Sequence, residues 1–281
     1  GDSEKVLGNW FAQSGRRSEV VVATKICGDG GFSKGGYNGT SFGEALDRSL
    51  SRLQTDYIDL YQLHWPNRGS YHFRQNWGFD PSKQDTAQVE ANMLETLEAA
   101  DRAVKAGKIR AIGLSNESAW GTMKWLALAE KHGLPRMATM QNEYSLLCRL
   151  YDTDMAELSV HEDITLLSYS PLAAGLLTGK YQNGAVPEGS RLSINGDLGG
   201  RKGDRAFLAT QAYLDLAAKH GIDPIHMALA WQRRRPFPIS AIFGATTTEQ
   251  LAHILAGDQV SLSDELMKEI DAVHRKHPMP Y

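Results

Sequence analysis

Two ionisable residues stand where short apolar runs end, and both have side chains that can do chemistry. Lys25 follows the apolar run 20–24, and His64 follows the run 57–63. A charged or hydrogen-bonding side chain at the end of a buried strand is costly as structure, but it is well placed to face a ligand at the mouth of a parallel sheet. The two positions therefore predict a functional site at the carboxyl ends of parallel strands.

Three further apolar runs also end in polar or aromatic residues. Ser115 and Asn116 follow one run, Gln141 closes the next, and Tyr169 closes a third. Amide and hydroxyl groups beside an aromatic face suit a planar heteroaromatic amide, and a nicotinamide fits that description. Each of these residues alone is better explained as a cap of the following helix than as a functional residue. Because five strand ends are polar together, the set favours a ligand site.

The elements that must position these residues alternate between strand and helix. Short apolar runs separated by amphipathic segments are typical of parallel strands covered by helices, and they predict an α/β fold of the (β/α)8 TIM-barrel class. The predicted strands are 20–24, 57–63, 109–114, 137–141, 164–169 and 239–242, and the predicted helices are 3–14, 41–53, 89–106, 119–132, 153–161, helices between 204 and 234, 247–255 and 263–274.

Only six of the eight βα units of such a barrel are visible in the chain. The first predicted helix, with Ser3 as its N-cap, has no strand before it, so we expect about two βα units upstream of Gly1. An open sheet of six strands is the alternative. No Pro-rich or Ser-rich linker divides the chain, which predicts one barrel domain over residues 1–281, incomplete at its N-terminus. The glycine-rich stretch 27–36 is predicted to be a mobile loop over the barrel mouth.

Composition excludes several function classes. The formal net charge of the 281 residues is -3, so there is no general electrostatic attraction to nucleic acids or membranes, and small molecules are the expected partners. Two cysteines are too few for a disulfide framework, which predicts a reducing, cytoplasmic location. The sequence has no apolar stretch that could span a bilayer. The nine histidines lack the spacings of known metal motifs, so we expect no metal site.

The order of several motifs resembles the aldo-keto reductase family, and within it the bacterial Tas-like group. The matching motifs are Ala-Thr-Lys25, Gln-Leu-His64-Trp-Pro, Gly-Leu-Ser115-Asn116, Gln141-Asn-Glu-Tyr, Ser-Tyr169-Ser-Pro-Leu and Gly244-Ala-Thr-Thr-Thr-Glu-Gln250. The resemblance implies a TIM barrel that binds NADP(H) and moves hydride between the nicotinamide and a small-molecule carbonyl or alcohol.

By this resemblance, Lys25 and His64 are two members of the family's catalytic tetrad of Asp, Tyr, Lys and His. The tyrosine would donate a proton, the lysine would favour its phenolate, and the histidine would orient and polarise the carbonyl. The matching Asp and Tyr are expected in a segment before Gly1, because no residue of this sequence fits their motif. Tyr37, in the glycine-rich loop after Lys25, and Tyr61, inside a predicted strand, are not substitutes.

The resemblance also implies a full set of cofactor contacts. Ser115, Asn116 and Gln141 would hold the carboxamide, and Tyr169 would stack on the nicotinamide. The pyrophosphate would lie on Ser170, Pro171, Leu172, Ala173 and Gly175. The other phosphates would contact Lys180 and Arg191. The adenosine end would contact Gly244, Thr246 and Gln250. Ile254 departs from the family, in which an asparagine usually contacts the adenine.

Two other functions stay open at this point. One is a nicotinamide-binding, redox-sensing regulatory subunit similar to the potassium-channel β subunits of the same family. The other is an unrelated barrel lyase that uses Lys25 as a Schiff-base nucleophile. The physiological substrate, the choice between NADPH and NADH, and a homo-oligomeric state do not follow from the sequence.

Overall fold

The computed structural model describes residues 1–30 and 34–281. These residues form two compact units, Gly1–Gln141 and Asn142–Tyr281. Residues 31–33, which belong to the stretch predicted as a mobile loop, lie outside the described residues. In the described part of the chain, no helix combines the length and apolar character that crossing a membrane requires. The expectation of a single barrel domain stays a prediction.

The first unit contains a parallel sheet whose strands follow one another in chain order. Asn38 caps α2 through a capping box, and Ser118 caps α4, so both helices begin where a side chain satisfies free backbone N–H groups. The elements are α1 Asp2–Ser14, β1 Ala23–Ile26, α2 Gly39–Leu53, β2 Ile58–Leu63, α3 Thr86–Lys105, β3 Ile109–Ser115, α4 Ala119–His132 and β4 Met137–Gln141.

The second unit contains two parallel paired strands and six α-helices among its described residues. Asp223 caps α8 and is followed by a proline at the first helical position, an arrangement that favours a helix start. The elements are α5 Asp154–His161, β5 Thr165–Tyr169, α6 Arg191–Ile194, α7 Asp204–Lys219, α8 Pro224–Arg233, β6 Ile239–Ile242, α9 Thr248–Ala256 and α10 Asp264–Lys276.

Two details at the start of the chain differ from the sequence prediction. Gly1, not Ser3, is the N-cap of α1. The first strand begins at Ala23 rather than at Val20, so Lys25 lies inside β1 instead of after it. The Arg17 guanidinium donates to the Val20 carbonyl at 2.8 Å and holds this segment in a turn. An apolar run alone does not reveal such a tether, so the predicted strand starts too early.

Strand β2 is buried along its whole length, including two polar residues. Asp59 accepts hydrogen bonds from the Val22 N–H and from Arg17, both at 2.9 Å. Arg110 completes this ion pair at 2.9 Å. The other polar residue of β2 is Gln62, which reaches the site described below. Burial of polar groups in this central strand is therefore compensated by specific partners.

Candidate active site

The His64 ring lies directly after β2, next to the end of β1. Its backbone N–H donates to the Ile26 carbonyl at 2.8 Å, which fixes the position of the residue. The ring Nδ1 lies 3.6 Å from the Cys27 Sγ. Burial first, and the nearby Lys25 charge second, lower the pKa of His64 to about 4. The imidazole is therefore neutral at neutral pH and sits within electrostatic reach of Lys25.

Lys25 is a half-buried ammonium on β1, opposite Gln62 in the strand register. Burial lowers its pKa, and the Cys27 thiol opposes this shift. Within residues 1–30 and 34–281, no carboxylate lies within 4.0 Å of the Lys25 nitrogen. An ammonium removed from water without an anionic partner is unfavourable for folding, so its presence points to a chemical role.

The ends of β3 and β4 hold three buried polar side chains beside His64. Ser115 Oγ donates to the Gln141 carbonyl at 2.8 Å. Asn116 Nδ2 donates to the His64 carbonyl at 2.9 Å and to Ser115 Oγ at 3.1 Å. The structure thus brings together four of the sequence-predicted residues, and Lys25 joins them through its effect on His64. We call these five residues the strand-end cluster.

Asn116 has a backbone conformation that marks this corner as special. Its φ is 52°, in the left-handed region that L residues rarely adopt. Asparagine tolerates this region better than most residues, and the two side-chain bonds hold it there. Strain of this kind is concentrated at ligand sites, where it fixes the direction of polar groups.

Gln62 is a site residue that the sequence analysis missed. It is fully buried, and its Nε2 donates to the Leu114 carbonyl at 3.4 Å. The Gln141 Nε2 in turn lies 3.5 Å from the Gln62 Oε1. The sequence did contain a signal for Gln62. Side chains two residues apart in a strand lie on the same face of the sheet, so Gln62 is expected on the face of His64. Cys27, beside His64, was missed as well, and nothing local to it indicated the contact.

A buried ion pair between Arg68 and Glu117 lies next to the end of β3. Glu117 follows Asn116 and accepts from Arg68 Nη1 at 2.9 Å, while Arg68 Nη2 bonds to its other oxygen. The Ser118 N–H also donates to Glu117, at 2.7 Å. A Cβ on Gly121 would fall 2.3 Å from Arg68 Nη2 and from Glu117 Oε1, so only glycine leaves room for the pair. This packing holds the chain that carries Ser115 and Asn116.

In the second unit, Tyr169 ends β5 and a tight turn follows it. The Tyr169 N–H donates to the Asn142 carbonyl at 3.1 Å, and the side chain is half-buried. The turn has positive φ at Ser170, Ala173, Ala174 and Gly175, with values of 53°, 49°, 57° and 97°. Pro171 and Leu172 lie between them. Three non-glycine residues in the left-handed region are costly, which suits a loop shaped for a ligand.

Lys180 and Arg191 are exposed cations in the second unit. A Cβ on Gly175 would lie 3.1 Å from the Lys180 Cε, so the lysine stem runs against the turn that follows Tyr169. Arg191 is the first residue of α6. Over the part of the chain that the structure describes, neither cation has a carboxylate within 4.0 Å, which leaves both charges available to an anion.

Gly244, Thr246 and Gln250 are exposed around the start of α9. The Gln250 Oε1 accepts from the Thr246 N–H and from its Oγ1, both at 3.0 Å. Ile254, on the same helix, is 7% exposed and lines a cavity of about 230 Å³ with Phe243 and others. The isoleucine that departs from the family pattern is therefore part of the apolar packing of the second unit.

The two tyrosines set aside as proton donors are buried in the first unit. Tyr37 is 2% exposed and Tyr61 is 0% exposed, and burial raises the pKa of both. Tyr61 packs edge-on against Phe42, with ring centroids 5.2 Å apart. Both side chains are buried, and the sequence predicted a packing role for Tyr61.

Comparison with known proteins identifies clear relatives of this chain. The model of the aldo/keto reductase family matches residues 1–275. Protein tas of Escherichia coli K12 is 43% identical over 289 aligned positions, which cover 100% of this chain and 82% of that protein. An aldo-keto reductase of Babesia bovis is 35% identical over 92% of this chain and 97% of its own length. A putative voltage-gated potassium channel subunit beta of Schizosaccharomyces pombe is 29% identical over 99% of this chain and 78% of its length.

Proposed function

Because the chain belongs to the aldo/keto reductase family, we propose that it transfers hydride between NADP(H) and a small-molecule carbonyl or alcohol. Members of this family are (β/α)8 barrels, so the expected fold class is confirmed. They are oxidoreductases that use NAD(P)H and act on small carbonyl compounds. The choice of NADP(H) as the cofactor belongs to the proposal.

The observation that carries the proposal is a half-buried ammonium without a carboxylate partner beside a neutral imidazole. Lys25 would lower the pKa of a proton-donating phenol placed next to it. When the Cys27 thiol donates to His64 Nδ1, the His64 Nε2 carries the ring proton and can donate to a carbonyl oxygen. These two roles describe the lysine and histidine of the family's tetrad. No residue of this sequence matches its Asp and Tyr.

The cofactor assignments also belong to the proposal. Ser115, Asn116 and Gln141 offer amide and hydroxyl groups to a carboxamide, and Tyr169 offers a ring face to a pyridine. The chemistry that a bound reduced nicotinamide supplies is hydride transfer. The pyrophosphate is assigned to the turn of Ser170, Pro171, Leu172, Ala173 and Gly175, and the other phosphates are assigned to the cations Lys180 and Arg191. Gly244, Thr246 and Gln250 are assigned to the adenosine end.

Cofactor binding is tested first, because it does not require a proton donor. NADPH is titrated into the purified chain and its fluorescence is followed for the wild type, Tyr169→Ala and Tyr169→Phe. We expect Tyr169→Ala to raise Kd at least about fivefold, since lost ring stacking is worth about 1 kcal/mol, and Tyr169→Phe to bind like the wild type. If the wild type does not bind NADPH, the proposed function is wrong.

Hydride transfer is tested with aldehydes and ketones that consume NADPH. In a chain that also carries the Asp and Tyr of the tetrad, Lys25→Met is expected to lower kcat/KM by about 10²- to 10⁴-fold and to leave NADPH affinity within about threefold, because the lysine acts on proton transfer by that tyrosine. Lys5→Met, at an exposed lysine of α1, is the matched control. Equal rates for Lys25→Met and the wild type would remove Lys25 from the mechanism.

The similarity to a potassium-channel subunit keeps a second function in view. In that case the chain would bind the nicotinamide tightly and serve as a redox-sensing regulatory subunit with very slow turnover. In a chain that also carries the Asp and Tyr of the tetrad, tight NADPH binding without carbonyl-dependent oxidation across the substrate panel would favour this alternative. Cys27 and Cys148 are free, which supports the cytoplasm as the compartment we propose.

A further inference from the structure

Three side chains that can bind a metal meet in the second unit, outside the site described above. Asp223 caps α8, His226 lies in its first turn, and His253 comes from α9. One ligand atom from each of the three residues lies within 4.8 Å of the other two. We call this group the Asp-His-His cluster. The sequence contains no metal motif and therefore predicts no such site. The cluster is not visible in the sequence because His253 comes from a different helix than Asp223 and His226.

The two carboxylate oxygens of Asp223 have different partners. Its Oδ1 accepts from the N–H groups of Ile225 and His226, at 2.8 and 3.1 Å, as a helix cap. Its Oδ2 lies 3.1 Å from the His253 Nε2. The rings of His226 and His253 are stacked, with centroids 4.8 Å apart. The second oxygen therefore faces histidine nitrogen while the first keeps the helix start intact.

His226 is held in the orientation that metal-binding histidines usually have. Its Nε2 lies 2.7 Å from the His253 carbonyl, to which it can donate. A ring that donates through Nε2 keeps a lone pair on Nδ1, and such a bond to a carbonyl is the usual support of a metal-bound imidazole. The ring packs on Gly257, where a Cβ would fall 2.4 Å from the His226 Cδ2. The imidazole is thus fixed before any ion arrives.

We propose that the Asp-His-His cluster binds one Zn²⁺ ion or a similar divalent transition metal. Two ligands that lie 2.0–2.1 Å from a tetrahedral zinc are about 3.3–3.4 Å apart. Asp223 and His253 are already 3.1 Å apart. The widest separation in the cluster, at most 4.8 Å, must close by about 1.4 Å to reach this value. The His253 side chain is 47% exposed and can rotate to close it, and water completes the coordination.

An ion at this position would connect two helices of the second unit. His253 lies one helical turn after Gln250 on α9, and Asp223 begins α8. Zinc binding is therefore expected to stabilise the second unit against unfolding, since an ion that binds only the folded state shifts the folding equilibrium. A metal-free clasp of hydrogen bonds between the helices is the competing explanation, and it predicts no response to zinc.

The experiment is a Zn²⁺ titration of tag-free protein in competition with a chromophoric chelator. The wild type is compared with His226→Gln, His253→Gln and their double variant, and with His132→Gln at the exposed end of α4 as the matched control. We expect one Zn²⁺ per chain in the wild type and the control, and about 100-fold weaker binding in each cluster variant. His253→Gln changes an exposed side chain, so loss of binding there does not reflect misfolding.

A further variant distinguishes zinc binding at the Asp-His-His cluster from zinc binding by the Cys27 thiol and the His64 imidazole. Cys27 and His64 are close enough to bind zinc themselves, so Cys27→Ser is titrated in parallel. We expect Cys27→Ser to bind zinc as the wild type does, and zinc to raise Tm in Cys27→Ser but not in His253→Gln. The proposal is overturned if binding is lost in Cys27→Ser and kept in His253→Gln, or if the wild type binds no tighter than the double variant.

Discussion

The strand-end cluster of the first unit and the start of α9 in the second unit contain the same kinds of polar side chain in opposite surroundings. Ser115, Asn116 and Gln141 are 2%, 1% and 8% exposed. Thr246 and Gln250 are exposed and bond mainly to each other. A buried polar group must have partners to be tolerated, whereas an exposed one can return to water. The comparison predicts that substitutions in the cluster change both stability and the proposed cofactor binding, whereas substitutions near α9 change the proposed binding alone.

The largest effect is expected where the first unit buries an ion pair behind the cluster. Arg68→Met leaves Glu117 buried without its cation and should lower the free energy of unfolding by about 3–5 kcal/mol. The matched control is Lys108→Met, because Lys108 pairs with Asp47 at the surface and the two side chains are 43% and 60% exposed. That change should cost less than about 1 kcal/mol. Urea unfolding measures both, and equal losses would contradict the role of burial.

The next effect concerns acid stability, which His64 should control. Its pKa of about 4 lies below the ordinary value of 6.5, so between these values the unfolded chain binds more protons than the folded one. Stability therefore rises with pH through this window and falls on acidification. Allowing for partial exposure, we expect the wild type to lose about 1–2 kcal/mol more than His64→Gln between about pH 7 and pH 4.5. His132→Gln is the control, and matching losses in the wild type and His64→Gln would argue against the buried neutral imidazole.

A smaller effect, the difference in stability between two variants of Asn116, distinguishes the contribution of backbone strain from that of the side-chain hydrogen bonds. Asn116→Ala removes the side-chain hydrogen bonds to the His64 carbonyl and to Ser115 Oγ. It also leaves an alanine at a φ of 52°, with no polar side chain to stabilise this backbone conformation. We expect a loss of about 2 kcal/mol in unfolding free energy. Asn116→Gly removes the same bonds but accepts the backbone, so it should be about 1 kcal/mol more stable than Asn116→Ala. If the two variants unfold at the same urea concentration, backbone strain is not important at this corner.

The smallest effect on stability is expected at Gln250. Gln250→Ala should change the free energy of unfolding by less than about 0.5 kcal/mol, because the side chain is exposed and its bonds to Thr246 can be replaced by water. NADPH affinity should fall a few-fold if the side chain contacts the cofactor. Calorimetric unfolding and the NADPH titration measure the two quantities on the same sample. A large loss of stability would show that the contrast between the two regions is wrong.

Most of the fold follows from sequence patterns, for a physical reason. Each strand is a short apolar run and each helix has an apolar face, so burial of those residues dictates the element locally. Strand β4, helix α4 and strand β6 have the predicted bounds. The start of β1 does not, because the Arg17 guanidinium comes from outside the run and holds Val20. The boundary is wrong where a side chain outside the apolar run competes with the pattern inside it.

The candidate site was predictable in part. Polar residues at strand ends are visible in the sequence, because parallel strands present their carboxyl ends at one edge. The bond between Gln141 and Gln62, and the contact of Cys27 with His64, are not visible there. Both join residues that are far apart in the chain, and no periodicity reports on side chains of different strands.

The sequence by itself determined the alternation of strands and helices, the parallel arrangement, the family, and the residue types at the strand ends. These depend on local hydrophobic burial and on motif order. Only the tertiary structure decided that the Lys25 ammonium has no carboxylate partner among the described residues, that Glu117 is buried against Arg68, and that His253 reaches Asp223. Such contacts are fixed when separate elements pack, because the register and approach of two elements set which side chains meet.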